Sequence, residues 1–264
     1  MEAGFRTPLL DMFRRGEVSR DIKMLAARGA LAPRPHEQLM LLMELVDDGD
    51  IEIRLSAAET IDAIPRPALQ AYLARSDTSA ALREFFEKRG VIPAETAAAD
   101  SEAPLIDRAE DGVPTSDGDP ESDAAEEREG TLQRLSAMTV AERMKAAMKG
   151  SREERSILIR DPNKLVSVAV LSSPKLNEAE VESFAKMANV SDEVLRIIGH
   201  TRAWVKNYGI CSALARNPKT PPAVSLHLVQ RLNDRDLKLI ALDRNASEPL
   251  RLAVRKRITK GKFE

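Results

Sequence analysis

The chain has 264 residues, of which 43% are hydrophobic and 31% charged, so it is long enough for one large domain or two small ones. Aromatic residues make up only 3%, and this scarcity favours helices over sheets, which are enriched in aromatic and β-branched side chains. The formal net charge is −2, and the single cysteine, Cys211, excludes an intrachain disulfide, a cysteine zinc site and a cysteine-ligated iron–sulfur cluster.

The first residues show no targeting signal. The N-terminal stretch MEAGFRTPLLDMFRRG has too short an apolar run for a signal peptide, and no small-residue cleavage site follows it. No stretch approaches the ~18–20 apolar residues that span a bilayer. Together with the lone thiol, these features predict a cytoplasmic protein without a membrane span.

Residues 1–94 are predicted to form an N-terminal helical module. A helix over 36–47 has apolar residues at the i, i+3, i+4, i+7 spacing of a buried stripe. After the acidic turn 47–50, a second helix is expected to bury one face, which consists of Ile51, Leu55, Ala58 and Ile61.

This helix pair carries a family pattern. Residues 39–64, LMLLMELVDDGDIEIRLSAAETIDAI, contain a Leu-rich helix, an Asp turn, and then an aliphatic–Arg pair followed by small residues. The pattern resembles a HEAT repeat, and its places are filled by Asp48, Asp50, Ile53, Arg54, Ala57 and Ile61. The resemblance implies that a turn carboxylate caps the second helix, that the arginine ties adjacent turns together, and that alanine allows close packing.

Residues 95–130 are predicted to be a disordered acidic linker. They hold 13 acidic and 2 basic side chains, a net charge of −11, and almost no large apolar groups. Such a segment buries too little apolar surface to offset its loss of conformational entropy. One apolar pair, Leu105 and Ile106, interrupts it, either by chance or as a short docking motif.

Residues 131–264 are predicted to form a C-terminal helical module with a basic end. Three helix starts match the capping-box pattern: Thr139 with Glu142, Ser151 with Glu154, and Asn177 with Glu180. Two others have an N-cap residue with proline close behind, at Thr220 and Ser247. Residues 203–264 hold 13 basic and 5 acidic side chains, a net charge of +8.

Similar segments recur in this module. Residues 154–160, 194–200 and 237–243 are spaced by 40 and 43 residues, and this period is typical of HEAT and armadillo repeats. The predicted fold is therefore all-α, an α-solenoid of HEAT-like repeats in two modules separated by the linker. The residues expected to face inward are Val181, Phe184 and Ala185, then Val224, Leu228 and Leu232, and finally Leu250, Ala253 and Val254.

The sequence contains no pattern that indicates catalysis. It has no Walker A loop, dinucleotide-binding glycine motif, nucleophile elbow or H-E-x-x-H zinc motif. The three histidines are scattered singly, and Cys211 lies in an apolar stretch that predicts a buried core residue. We therefore expect a non-enzymatic protein without a cofactor or a metal.

The best candidate for partner binding is the segment 202–208. Trp204 and Tyr208 are four residues apart, so one helix face would carry both rings, with Arg202 and Lys206 on a neighbouring face. Aromatic rings beside cations suit binding of a peptide or stacking on bases. The alternative is that the rings pack between repeats.

Two further sets of residues are candidates. Arg216-Asn217 and Arg244-Asn245 stand at comparable predicted helix ends, where asparagines bind a peptide backbone in armadillo-like proteins or simply adopt a left-handed helix end. The basic tail could meet phosphate or an acidic protein, or complement a helix dipole, and consists of Arg251, Arg255, Lys256, Arg257, Lys260 and Lys262.

These features predict an intracellular adaptor or scaffold that binds a protein or peptide, acidic or otherwise, through a helical-repeat surface. The alternative is a nucleic-acid-binding protein that uses the basic C-terminal region, with affinity that falls steeply with salt. The sequence does not determine the oligomeric state.

Overall fold

The computed structural model describes residues 8–31, 33–96, 103–108 and 124–260, and all their side chains except those of 124–129 and 260. Within these ranges there are seventeen helices and no strand, which confirms the predicted all-α class. In the same part of the chain, no helix has the length and apolar character needed to cross a bilayer.

The chain forms two compact units. Unit 1 comprises Met1–Leu158 with Leu165–Lys175, and unit 2 comprises Ile159–Lys164 with Leu176–Glu264. The division predicted at residues 94 and 130 stays a prediction.

Unit 1 is built around one central helix, α3, which contacts four others: α1, α2, α4 and α6. Its helices are α1 (Pro8–Arg14), α2 (Arg20–Ala27), α3 (Pro35–Leu45), α4 (Ile51–Ala63), α5 (Arg66–Leu73), α6 (Ala80–Glu87), α7 (Ala124–Ala137), α8 (Val140–Lys149), α9 (Arg152–Leu158) and, from its second residue, α10 (Lys164–Leu171). Leu39, Leu42 and Leu45 of α3 are buried, and they pack into a core with the buried side chains of the surrounding helices.

Helix α4 confirms one detail of the sequence analysis and corrects another. Asp50 caps the helix by accepting a hydrogen bond from the backbone N–H of Glu52 at 2.9 Å. The predicted inward face is wrong for Ile51 and Leu55, which are 60% and 59% exposed, whereas Ile61 is buried as predicted. Because α4 contacts both α2 and α3, its buried face consists of Ile53, Ala57, Thr60 and Ile61.

Unit 2 contains seven helices within the described residues: α11 (Glu178–Lys186), α12 (Asp192–His200), α13 (Arg202–Val205), α14 (Tyr208–Arg216), α15 (Pro222–Val229), α16 (Asp234–Leu242) and α17 (Glu248–Lys260). Helix α14 packs on α11 and α15, and α17 packs on α15 and α16. Asparagine caps α11, α14 and α16, whose starts are 30 and 26 residues apart. This spacing is shorter than the 40–43 residues that the recurring segments suggest.

The predicted inward residues of unit 2 are confirmed except for Ala253, which is half-buried.

The three predicted capping boxes are also confirmed, because each carboxylate accepts from the N-cap backbone and each N-cap side chain accepts in return. Thr220 does not cap a helix, however. Helix α15 begins one residue later than predicted, after Pro221, and this leaves the Thr220 side chain buried.

Candidate peptide-binding site

The predicted aromatic surface does not form on one helix. Trp204 lies in the short helix α13, and Tyr208 begins α14. One helix ends and another begins between them, because the side chain of Asn207 caps α14 and accepts a hydrogen bond from the Gly209 N–H at 2.8 Å. Trp204 is buried, with 8% of its surface exposed, whereas the flanking cations Arg202 and Lys206 are exposed.

Tyr208 is 42% exposed, and its hydroxyl is engaged within unit 2. The hydroxyl donates to the Asp236 carboxylate and accepts from the Asn233 backbone N–H at 3.2 Å. Loss of hydration and the neighbouring carboxylate raise the pKa of Tyr208. The ring therefore ties the start of α14 to the start of α16.

Asn217 is also part of the fold rather than an open ligand site. It is buried, and its side-chain amide donates to the carbonyls of Ala185 and Met187 at 2.8 and 2.9 Å. Its side-chain oxygen accepts from the Lys219 N–H at 3.0 Å. The backbone of Asn217 is extended, not left-handed, so this amide fastens α14 to the end of α11.

The second Arg-Asn pair occupies a different position. Asn217 is the C-cap of α14, whereas Asn245 stands two residues beyond Asp243, the C-cap of α16. Asn245 is exposed, and so are Arg216 and Arg244. The two pairs therefore do not stand at comparable helix ends.

Half of the basic tail bonds to neighbouring groups in unit 2. Arg251 pairs with Glu248 at 3.2 Å, Arg257 donates to the carbonyl of Val229 at 2.7 Å, and Arg255 lies 3.5 Å from the carbonyl of Ala241. Lys256 is exposed. The side chain of Lys260 and the whole of Lys262 lie outside the described residues.

A stretch of backbone is held by side-chain and main-chain groups in unit 1, and this stretch falls within the predicted linker. Residues 103–108, APLIDR, form a non-helical strip that we call the docked segment. They lie against a groove that we define by Gly29, Gln38, Thr60 and Lys149 and call the docking groove. For these six residues, the prediction of disorder is wrong.

The side chain of Gln38 holds the backbone of the docked segment. Its oxygen accepts from the N–H groups of Leu105 and Ile106 at 2.8 and 3.2 Å, and its nitrogen donates to the Ile106 carbonyl. Gln38 lies in α3 and is 3% exposed, so these bonds form away from bulk water. A side-chain amide has the donor and acceptor of a peptide group, and here it bonds to a bent stretch of backbone, since two consecutive N–H groups point to the same oxygen.

Gly29 forms the second contact with the backbone of the docked segment. After α2 the chain turns through Gly29 at φ +71°, and the Ala30 N–H bonds to the Leu25 carbonyl at 2.9 Å, as in a Schellman motif. The turn leaves the Gly29 carbonyl free of the helix, and this carbonyl accepts from the Arg108 N–H at 3.3 Å.

Gly29 also makes room for an aliphatic side chain. A Cβ at this position would lie 3.1 Å from the Thr60 methyl and 3.4 Å from the Ile106 Cγ2. The absent side chain therefore allows Ile106 to approach the backbone between α2 and α4. Leu105 and Ile106 are both half-buried in this arrangement.

Charge completes the site. Asp107 forms an ion pair with Lys149, the last residue of α8. The two side chains keep 46% and 26% of their surface, so the pair is partly screened by water. The docked segment thus offers its backbone to Gln38 and Gly29, an aliphatic side chain to the gap above Gly29, and a carboxylate to Lys149.

Only one feature of the sequence indicated this site. The Leu105-Ile106 pair is the apolar interruption in the acidic stretch, and the docking motif was one of two interpretations of it. Gln38 could not be singled out, because a glutamine in the first turns of an amphipathic helix is an ordinary solvent-facing residue. Its partners lie 67 and 68 residues away in the chain.

The described residues contain no group of three His, Cys, Asp or Glu side chains that could hold a metal ion. Cys211 is buried and lies 2.9 Å from the Val205 carbonyl, and burial raises the pKa of its thiol. The chain matches no family model, no curated protein and no solved structure.

Proposed function

We propose that the chain is a non-enzymatic adaptor that binds a non-helical peptide segment of a protein partner through the docking groove of unit 1. The observation that carries the proposal is the buried Gln38 amide, which makes three hydrogen bonds to the backbone of a non-helical segment. Recognition of a peptide backbone by fixed polar groups is a recurrent mode of peptide binding.

A helical adaptor of this kind fits the HEAT-like solenoid that the sequence predicts, in which stacked hairpins present long surfaces to a partner. The Asp50 cap and the Arg54 side chain, which donates to the carbonyls of Asp48 and Gly49, rigidify the turn between α3 and α4. A rigid hairpin keeps Gln38 in place, and pre-organisation of this sort lowers the entropic cost of binding.

Nucleic-acid binding through the basic tail stays the alternative. Bonds from Arg251, Arg255 and Arg257 to neighbouring groups in unit 2 favour the adaptor proposal, since they compete with contacts to phosphate. Binding to phosphates would also weaken steeply with salt, by roughly one power of concentration per contact.

The experiment is a selection of displayed random peptides against the full-length protein in which the groove has been opened. The substitutions Leu105→Pro and Ile106→Pro remove both N–H donors that the docked segment gives to Gln38, with no change in length or charge. We call this protein the release variant. Counter-selection uses the release variant with Gln38→Met added, which keeps the side-chain length and removes the amide.

Peptides enriched on the release variant and lost with Gln38→Met are the expected result. A matched control adds Gln70→Met, a glutamine of α5, in place of Gln38→Met and should keep the same peptides. Thermal unfolding followed by circular dichroism checks that each protein is folded. Enrichment that does not depend on Gln38, or no enrichment at all, contradicts the proposal.

A further inference from the structure

The docked segment has the properties of a ligand that happens to be covalently attached. It has no helix of its own, and its main-chain groups at 105, 106 and 108 bond to the side chain of Gln38 and the carbonyl of Gly29. Its two aliphatic side chains are only half-buried. The segment contributes no side chain to the buried core, so its departure removes none of the core residues around α3.

The contacts of the docked segment also define what else would fit. Gln38 and Gly29 bond to backbone groups, so they accept a chain whose N–H groups are placed as those of the docked segment are. The gap above Gly29 takes the branched side chain of Ile106, and Lys149 takes a carboxylate at the next position. The groove therefore selects a non-helical segment with two consecutive aliphatic residues followed directly by an acidic one.

We infer that residues 103–108 are an internal competitor, which occupies the docking groove until a partner segment of the same chemistry, a non-helical stretch with two aliphatic residues before an acidic one, displaces it. This inference rests on the proposed peptide binding and adds to it a ligand class and a means of regulation.

The expected strength of the competition follows from the attachment. A ligand on the same chain has an effective concentration of up to about 1 mM. A partner segment that must displace it binds with a raised apparent Kd, and the factor is the ratio of that concentration to the Kd that the docked segment itself would have as a free peptide. With a Kd of about 10–100 μM for the docked segment, the apparent affinity of the partner segment falls roughly 10- to 100-fold.

The experiment measures this loss with the full-length chain and one probe, a fluorescein-labelled peptide SEAPLIDRAE, which spans residues 101–110. Fluorescence anisotropy titrations compare the wild-type protein with the release variant. We expect the release variant to bind the peptide about tenfold or more tightly than the wild type. Adding Gln38→Met to the release variant should abolish binding of this peptide. A second peptide of the same composition, in which Leu and Ile are separated, should not bind to the release variant.

A matched control keeps the prolines but moves them. Ala98→Pro with Ala99→Pro stiffens the acidic stretch that precedes the docked segment in the sequence, and the apparent Kd should stay that of the wild type. A change as large as that of the release variant would mean that linker stiffness and not occupancy of the groove governs binding.

Two other results would overturn the inference in distinguishable ways. Equal affinity for the wild type and the release variant means that the segment does not compete, while peptide binding by the groove stands. No binding to the release variant up to about 1 mM means that residues 103–108 do not represent the ligand class. Peptide selection on the same variant then decides independently whether the groove binds another sequence.

Discussion

In each unit, a buried side-chain amide bonds to backbone groups, but the two amides hold different kinds of partner. In unit 1, Gln38 is 3% exposed and holds the non-helical backbone at Leu105 and Ile106. In unit 2, Asn217 is 6% exposed and holds the carbonyls of Ala185 and Met187 at the end of α11. The chemistry is the same, because both amides replace a missing backbone partner.

What differs is whether the partner can leave. The carbonyls that Asn217 binds belong to the end of a helix whose side chains Val181 and Phe184 are fully buried, so they cannot move without opening the core. The groups that Gln38 binds belong to a short non-helical segment with half-buried side chains. Whether a buried side-chain amide holds a fixed partner or one that can be released therefore depends on what else anchors the partner. It does not depend on how deeply the amide itself is buried.

The largest expected effect is on the amide of unit 2. Asn217→Leu keeps the size of the side chain and leaves the carbonyls of Ala185 and Met187 buried without donors. We expect the free energy of unfolding to fall by about 2–4 kcal/mol, since each unsatisfied buried group costs about 1–3 kcal/mol. Urea unfolding followed by circular dichroism measures this loss.

Asn245→Leu is the control for that substitution. Asn245 is exposed two residues beyond the end of α16, so the same change there should alter the unfolding free energy by less than about 0.5 kcal/mol. Similar losses for the two variants would show that Asn217 does not fasten α14 to α11, and the contrast between the units would disappear.

The second effect concerns the amide of unit 1 and should appear as exposure of the docked segment rather than as global unfolding. Gln38→Met removes three hydrogen bonds to residues 105 and 106, whose backbone can then bond to water. We expect trypsin to cleave after Arg108 about tenfold faster, because cleavage requires the segment to leave the groove. The unfolding free energy should fall by less than for Asn217→Leu.

Gln70→Met is the matched control, and its cleavage rate after Arg108 should equal that of the wild type. Mass spectrometry identifies the cut and separates it from cuts elsewhere in the chain. An unchanged rate in Gln38→Met would mean that the glutamine does not hold the segment, which removes the basis of the proposed recognition.

The features that the sequence predicted correctly are those that depend on near neighbours in the chain. Capping boxes pair residues three apart, so Thr139 with Glu142 and Asn177 with Glu180 could be assigned from the sequence and are present in the structure. The all-α class follows in the same way from local composition. The cap at Asp50 was implied by the HEAT resemblance, and it too is local.

The features that were missed depend on tertiary contacts. Periodicity placed Ile51 and Leu55 on the buried face of α4, but the contacts with α2 and α3 select the neighbouring face. Spacing placed Trp204 and Tyr208 on one helix, but the Asn207 cap starts a new helix between them. The groove could not be predicted because Gln38 meets its partners more than sixty residues away in the chain.

The smallest expected effect is on the ion pair of the docked segment, and it separates side-chain from backbone recognition. Lys149→Met removes the partner of Asp107 and leaves both the amide of Gln38 and the cleavage site untouched. Because both charges are partly exposed, the pair contributes at most about 1 kcal/mol, so cleavage after Arg108 should rise by less than about fivefold. In 1 M salt, where the Debye length is about 3 Å, the variant and the wild type should be cleaved at nearly equal rates. Lys88→Met, which breaks the exposed pair with Glu84 in unit 1, should leave the rate unchanged at any salt concentration. A Lys149→Met effect as large as that of Gln38→Met would instead mean that charge, not the backbone, holds the segment in its groove.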